Sequence, residues 1–154
     1  MAHEHFPQSP GRPLSPAEPL RNPFEVFLPS APQYVGMSRR ITAGAMQRWA
    51  GIPQDVAADT ILIVSELMTN AVQHGGGGDS PQAVGLRIER SYGQLLVEVT
   101  DSSSKPARLK SAGERATAGR GLHLVEKLAT AWGTSNTNHT TWARFSTEPQ
   151  ESAC

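Results

Sequence analysis

Glu66 and Asn70 stand one helical turn apart in the stretch Glu66-Leu-Met-Thr-Asn70-Ala-Val-Gln-His74-Gly75, inside a segment that is otherwise mostly apolar. A helix advances about 100° per residue, so positions 66, 70 and 74 drift by only about 40° per step and share one face. A carboxylate on such a segment is costly to bury unless a cation or a hydrogen-bond donor meets it. A magnesium ion carried on nucleotide phosphates would supply both. The bland rival pairs Glu66 with a surface arginine. His74 is read as a helix-end residue bonding a terminal carbonyl.

Positioning these groups requires a helix of some twenty residues, and the sequence provides one. It begins at Pro53 and runs to about His74, where Gly75 to Gly78 stops it. Ahead of it, Phe24 to Leu28 alternates as a strand closed by Pro29. Ser30 is then the expected N-cap, with Pro32 just inside, of a first helix over Gln33 to Ala50 ended by Gly51. Two strands follow, Ala83 to Arg90 and Gln94 to Thr100, turning at Tyr92-Gly93. A third helix covers Gly121 to about Ala131. The last strands lie near Ala131 to Asn136 and Thr140 to Ser146. The order β-α-α-β-β-α-β-β predicts an α/β (α+β) two-layer sandwich, with about three helices on one face of a mixed, mainly antiparallel sheet. Trp49, Trp132 and Trp142 are read as packing residues.

The polar loop from Asp101 to Ala118 is longer than compact domains usually tolerate without purpose. The strand Leu95 to Val99 delivers Asp101 to one end of it. Gly119-Arg120-Gly121-Leu122 at the other end opens the third helix, whose free backbone N–H groups form a ready anion site. A rival reading has Asp101 capping a turn through Ser102 to Ser104.

Composition bounds the remainder. The chain of 154 residues has 14 basic and 14 acidic side chains, which gives no electrostatic footprint for nucleic acid. Seven prolines fall in the first 29 residues, so 1–22 is expected to be a disordered tail, 23–147 a single domain and 148–154 a short C-terminal tail. The longest apolar run, Ile61 to Val64, cannot span a bilayer, and the N-terminus lacks a signal-like apolar region. The one cysteine, Cys154, cannot form an internal disulfide. Together these point to a reducing, cytoplasmic setting without a membrane partner.

Between Pro29 and Phe145 the chain resembles the GHKL ATP-binding superfamily of gyrase, chaperone, histidine-kinase and mismatch-repair ATPases. Within it, the chain looks most like the stand-alone anti-sigma-factor serine kinases of Gram-positive bacteria and their actinobacterial relatives. Four motifs carry the resemblance, in the family's order and spacing. They are the Glu66 to Gly75 box, Val97-Glu-Val-Thr-Asp101, Gly119-Arg120-Gly121-Leu122, and His139-Thr140-Thr-Trp142-Ala-Arg-Phe145. The resemblance implies the histidine-kinase-like ATPase fold with ATP and Mg2+ bound. Glu66 would be the catalytic residue and Asn70 the metal ligand. Asp101 would accept from the adenine amine, Gly119, Arg120, Gly121 and Leu122 would lie along the phosphates, and Thr140 would stand in the adenine pocket. Arg115 is a further phosphate candidate. The implied function is a serine-protein kinase that phosphorylates an anti-sigma antagonist and sequesters a sigma factor, with dimer or partner contacts through the first helix near Arg39-Arg40. The alternatives are a non-catalytic ATP-sensing module and a detached histidine-kinase catalytic domain.

Two departures stand out. The family's Asp-x-Gly-x-Gly is here Asp101-Ser102-Ser103-Ser104, without either glycine. The glycine and lysine before the terminal threonine are Asn138 and His139, and Asn138 is expected to take over the left-handed turn.

Overall fold

A computed structural model describes residues 23–74, 82–91, 93–101, 120–135 and 139–148. The elements are β1 (Phe24–Pro29), α1 (Gln33–Arg48), α2 (Gln54–His74), β2 (Ala83–Ser91), β3 (Gln94–Thr100), α3 (Arg120–Leu128), β4 (Ala131–Ser135) and β5 (Thr140–Ser146). The five strands form one sheet in the order β1-β2-β3-β5-β4, and every neighbouring pair is antiparallel. The expected two-layer α/β sandwich is therefore present, with its sheet antiparallel throughout the described strands.

Alternation along the strands builds the layer interface. Leu95, Val97 and Val99 of β3 are buried with Leu86 and Ile88 of β2 and Ala143 and Phe145 of β5. The registers Val97↔Ile88 and Val97↔Ala143 put these residues in cross-strand rows on one face. Onto this face α2 lays Ile63, Val64, Leu67, Met68 and Ala71, all at or below 2% exposure. Their spacing of one, three and four makes a single apolar stripe. Each large side chain so buried contributes about 1.5–3 kcal/mol. Leu122 and Val125 close the same core from α3.

The opposite face of the sheet carries Arg87 between two acids, 2.7 Å from Glu89 and 2.9 Å from Glu98. Burial pushes the Arg87 pKa down, but the hydrogen bonds and charges of the two carboxylates outweigh it and hold it above its ordinary value. Trp142 is buried on this face with the Arg144 guanidinium 5.6 Å from its ring centroid. Trp49 and Trp132 pack against the core from its margin, as expected of packing residues.

The sequence-based boundaries need three corrections. Ser30 does not cap α1. Pro32 occupies the N-cap position at φ −55°, ψ −33°, with no side-chain cap, and the Ser30 hydroxyl is buried without a partner. Backbone bonds from Tyr34 to Ala31 and from Val35 to Pro32 close the first turn instead, because proline fixes a helical φ one residue too late for Ser30 to reach it. Second, α1 ends at Arg48, two residues early, since Trp49 is extended and Gly51 takes φ +81°. Third, α3 ends at Leu128 because the Thr130 N–H already donates to the Arg144 carbonyl and starts the turn into β4.

Candidate functional site

Chain direction decides which ends meet. The N-terminus of α2 (Pro53, Asp55, Asp59) lines a cavity with Leu128 of α3 and Phe145 and Ser146 of β5. The α2 C-terminus therefore lies at the other end of the sheet, where β3 finishes and β5 begins. Helix α3 leads through Ala129 and Thr130 into β4, which runs from Ala131, opposite Arg144, to Ser135, opposite Thr140. Its N-terminus is thus at the same end as Thr140 and Asp101. Three structural termini converge there: the end of α2, the end of β3 and the start of α3.

Their polarity matters. The last turn of α2 carries partial negative charge and favours a cation, whereas the first turn of α3 presents free N–H groups and favours an anion. This pairing of termini is suited to a polyphosphate with its counter-ion.

Asn70 lies one turn before the α2 terminus and is only 9% exposed. Its carboxamide has no protein hydrogen-bond partner among the described residues. Its polar atoms are not among the fully buried unpaired ones, so they are open to water or a ligand. A hard cation satisfies its oxygen, so the donor fits magnesium, which binds few protein oxygens when phosphates supply the rest. No group of three or more His, Cys, Asp or Glu able to hold a metal occurs among the described residues. Glu66 is half-buried on the same helix face and forms no ion pair among the described residues. His74 is the last residue of α2 and is exposed, a helix-end position.

Asp101 follows β3 directly, and its backbone N–H donates to the His139 carbonyl at 3.1 Å. This bond extends the β3–β5 ladder one step and fixes where the carboxylate leaves the sheet. His139 supplies the positive φ, +52°, at this corner. The expectation of a left-handed residue at Asn138 falls outside the described residues. The backbone still makes the turn, at the cost of placing a side chain where glycine is easier.

Thr140 lies opposite Thr100 in the β3–β5 register, and the two hydroxyls are 2.7 Å apart. Alternation places this pair on the face away from the helices. Thr141 falls on the helix side with Asp101, Ala143 and Phe145. It is 7% exposed, and its hydroxyl has no protein partner among the described residues. The sequence reading missed Thr141, although the alternation of Thr141, Ala143 and Phe145 carried the signal. Leu122, in the first turn of α3, is 3% exposed and packed into the core. Arg120 and Gly121 open α3. Gly119, Arg115, the serines after Asp101, and Gly75 to Gly78 lie outside the described residues.

The match to known proteins agrees with this geometry. Residues 28–147 match the family model described as the histidine kinase-like ATPase domain. The chain belongs to that family. It is 35% identical over 77 residues to the serine-protein kinase RsbW of Bacillus velezensis and 36% identical over 77 residues to that of Bacillus subtilis. Each match covers 50% of this chain and 48% of the relative, so the chain spans about half the length of the curated relatives it matches. No helix among the described residues of this ATPase-family chain is long and apolar enough to cross a membrane.

Proposed function

We propose that this chain binds ATP with magnesium at the α2–β3–α3 end and acts as a protein-serine kinase that also sequesters a sigma factor. The observation that carries the nucleotide reading is Asn70, a residue only 9% exposed whose carboxamide has no protein partner among the described residues, on the face shared with Glu66. Asn70 would hold the ion, which when bound neutralises phosphate charge. Asp101 would accept from the adenine amine, with Thr141 beside it and Thr140 on the strand behind. The start of α3 from Arg120, with Gly119, Gly121 and Leu122, would face the phosphates. Glu66 would take the proton of a serine hydroxyl as its oxygen bonds to the γ-phosphorus. The bond between that phosphorus and the bridging oxygen breaks, and its electron pair stays with the departing diphosphate.

Similarity to the RsbW serine-protein kinases supports the reaction class. The acceptor would be a small antagonist protein, and its phosphorylation would leave this chain free to hold a sigma factor in the cytoplasm. A second reading, in which the nucleotide only orders a partner surface, is favoured by one feature. Asp101-Ser102-Ser103-Ser104 lacks the glycines that close phosphate approach ordinarily uses. Incubation with γ-labelled ATP, magnesium and a cognate antagonist separates the two. Kinase action labels the antagonist's serine, and Glu66→Ala stops labelling while sparing nucleotide binding. Binding without transfer establishes the sensing module, and label on histidine indicates a histidine-kinase lineage of activity.

A further inference from the structure

The face of the sheet turned away from the helices carries Trp142 and Arg144 of β5 beside Leu96 and Glu98 of β3. All three helices send their buried side chains to the other face, and no described element lies over this one. Trp142 is nevertheless only 6% exposed, and Leu96 and Glu98 are buried beside it. Two nitrogens there are fully buried without a hydrogen-bond partner, Nε1 of Trp142 and Nε of Arg144. An indole N–H can only donate, and a buried tryptophan usually finds an acceptor for it. The Arg144 guanidinium packs on the Trp142 ring, so both orphaned donors belong to one patch about 7 Å long on β5. A chain whose carbonyls are not already bonded would satisfy both.

The leading segment has the composition and the period for this. Prolines stand at 7, 10, 13, 16 and 19, one every third residue. A polyproline II helix has three residues per turn and no internal hydrogen bonds, so these prolines would share one edge while the carbonyls stay available. We infer that Pro13 to Pro19 docks along β5 on this outer face in polyproline II form, its carbonyls accepting from Trp142 Nε1 and Arg144 Nε. Proline-rich segments are recognised in this way by aromatic side chains, and their stiffness lowers the cost of ordering. The point of attachment fits. Phe24 lies in the cross-strand row of Ile88, Val97 and Ala143, and Ala143 stands between Trp142 and Arg144. Three strand spacings, about 14 Å, separate Phe24 from that point. The five steps from Phe24 back to Pro19 cover about 15 Å at the polyproline rise. Pro13 to Pro19 then spans about 19 Å, against about 20 Å for β5 (Thr140–Ser146). The inference stands independently of the nucleotide reading.

The test uses the full chain labelled with 15N, in which Trp142→Phe assigns the Trp142 indole signal. In the wild type that indole proton should exchange slowly with solvent. Pro13→Ser with Pro16→Ser and Pro19→Ser should speed its exchange by about tenfold or more and leave the Trp49 indole unchanged. A register variant, Pro13→Leu with Leu14→Pro and Pro16→Ala with Ala17→Pro, keeps the composition but takes two prolines off the common edge. It should speed exchange as the serine variant does. All these positions precede β1, so the sheet and its core are untouched. A nitroxide on Ser15→Cys, in a Cys154→Ser background, should broaden the Trp142 indole signal more than that of Trp49. Equal indole exchange in wild type and serine variant, a register variant that behaves as wild type, or absence of broadening overturns the proposal. Broadening that arises only between a nitroxide-bearing chain and a separate 15N-labelled chain also overturns it, because the face then belongs to a second copy.

Discussion

Replacing Asp101 by Ala tests the proposed adenine contact. The backbone bond from Asp101 to His139 involves no side chain, so the change leaves that bond in place. What is lost is a charged acceptor, and hydrogen bonds to charged groups contribute about 1.5–3 kcal/mol. That corresponds to roughly a 10- to 150-fold weaker Kd. At ATP one hundred times the wild-type Kd, binding stabilises the native state by about 2.7 kcal/mol. A chain of this length gains about 2–4 °C in Tm per kcal/mol, so wild type should shift by about 5–10 °C. In Asp101→Ala the same ATP concentration should leave only about 0.3–1.3 kcal/mol, a shift of about 1–5 °C. Differential scanning fluorimetry with and without Mg·ATP reads both, and the nucleotide-free Tm of the variant serves as its own baseline. A variant shift equal to that of wild type would refute Asp101 as an adenine acceptor. A wild type that does not respond to nucleotide refutes the site as a whole.

The two neighbouring threonines should behave oppositely. Thr140→Val removes the 2.7 Å contact with Thr100 and should lower stability by about 0.5–1 kcal/mol, measured by urea denaturation. Thr141→Val removes a hydroxyl without a protein partner among the described residues, so it should leave stability nearly unchanged while weakening ATP about fivefold by isothermal titration. Ile63→Ala, at 0% exposure in α2, should cost about 2–5 kcal/mol in the same denaturation assay. Arg87→Ala should cost about 2 kcal/mol, between exposed and fully buried pairs, because its side chain is 31% exposed. In the wild type Arg87 has a raised pKa, so its contribution is present below its ordinary pKa and is lost only in strong alkali.

Much of this arrangement is written in side-chain pattern. The stripe Ile63, Val64, Leu67, Met68, Ala71 announces α2 and its inward face, and the break at Pro29 and the glycine after His74 bound the segments on either side. Alternation in Leu95 to Val99 announces β3. Caps and corners were less legible because several local solutions are nearly equal in energy. Ser30 is a good N-cap by type, yet the fixed φ of Pro32 moved the helix start past its reach. His139 is less suited than glycine to left-handed backbone, yet it takes the positive φ at the corner where ladder pairing runs from Thr100↔Thr140 through Asp101–His139. Local preference of a few tenths of a kcal/mol gives way to a register fixed by a buried strand. The same register separates Thr140 from Thr141, which residue type alone could not do.

The candidate site follows from connectivity more than from any one side chain. Because α1 and α2 form an antiparallel pair after β1, the end of α2 returns to the edge of the sheet where β1 stopped, opposite Ala83. The β2–β3 hairpin then brings the chain back to that edge at Asp101. The short link from α3 to β4 requires α3 to start there as well. A helix C-terminus and a helix N-terminus thus face one another across a strand end, and their fixed partial charges differ in sign before any ligand arrives. Asn70 and Glu66 near the negative terminus, and Asp101 on the strand between, occupy positions this topology makes polar and partly enclosed. Reversing either helix would separate the cation-favouring and anion-favouring termini by the length of the sheet. Sequence motifs could then persist without a site, and for that reason helix polarity, rather than the presence of the motifs, is the stronger ground for assigning a nucleotide to this end of the molecule.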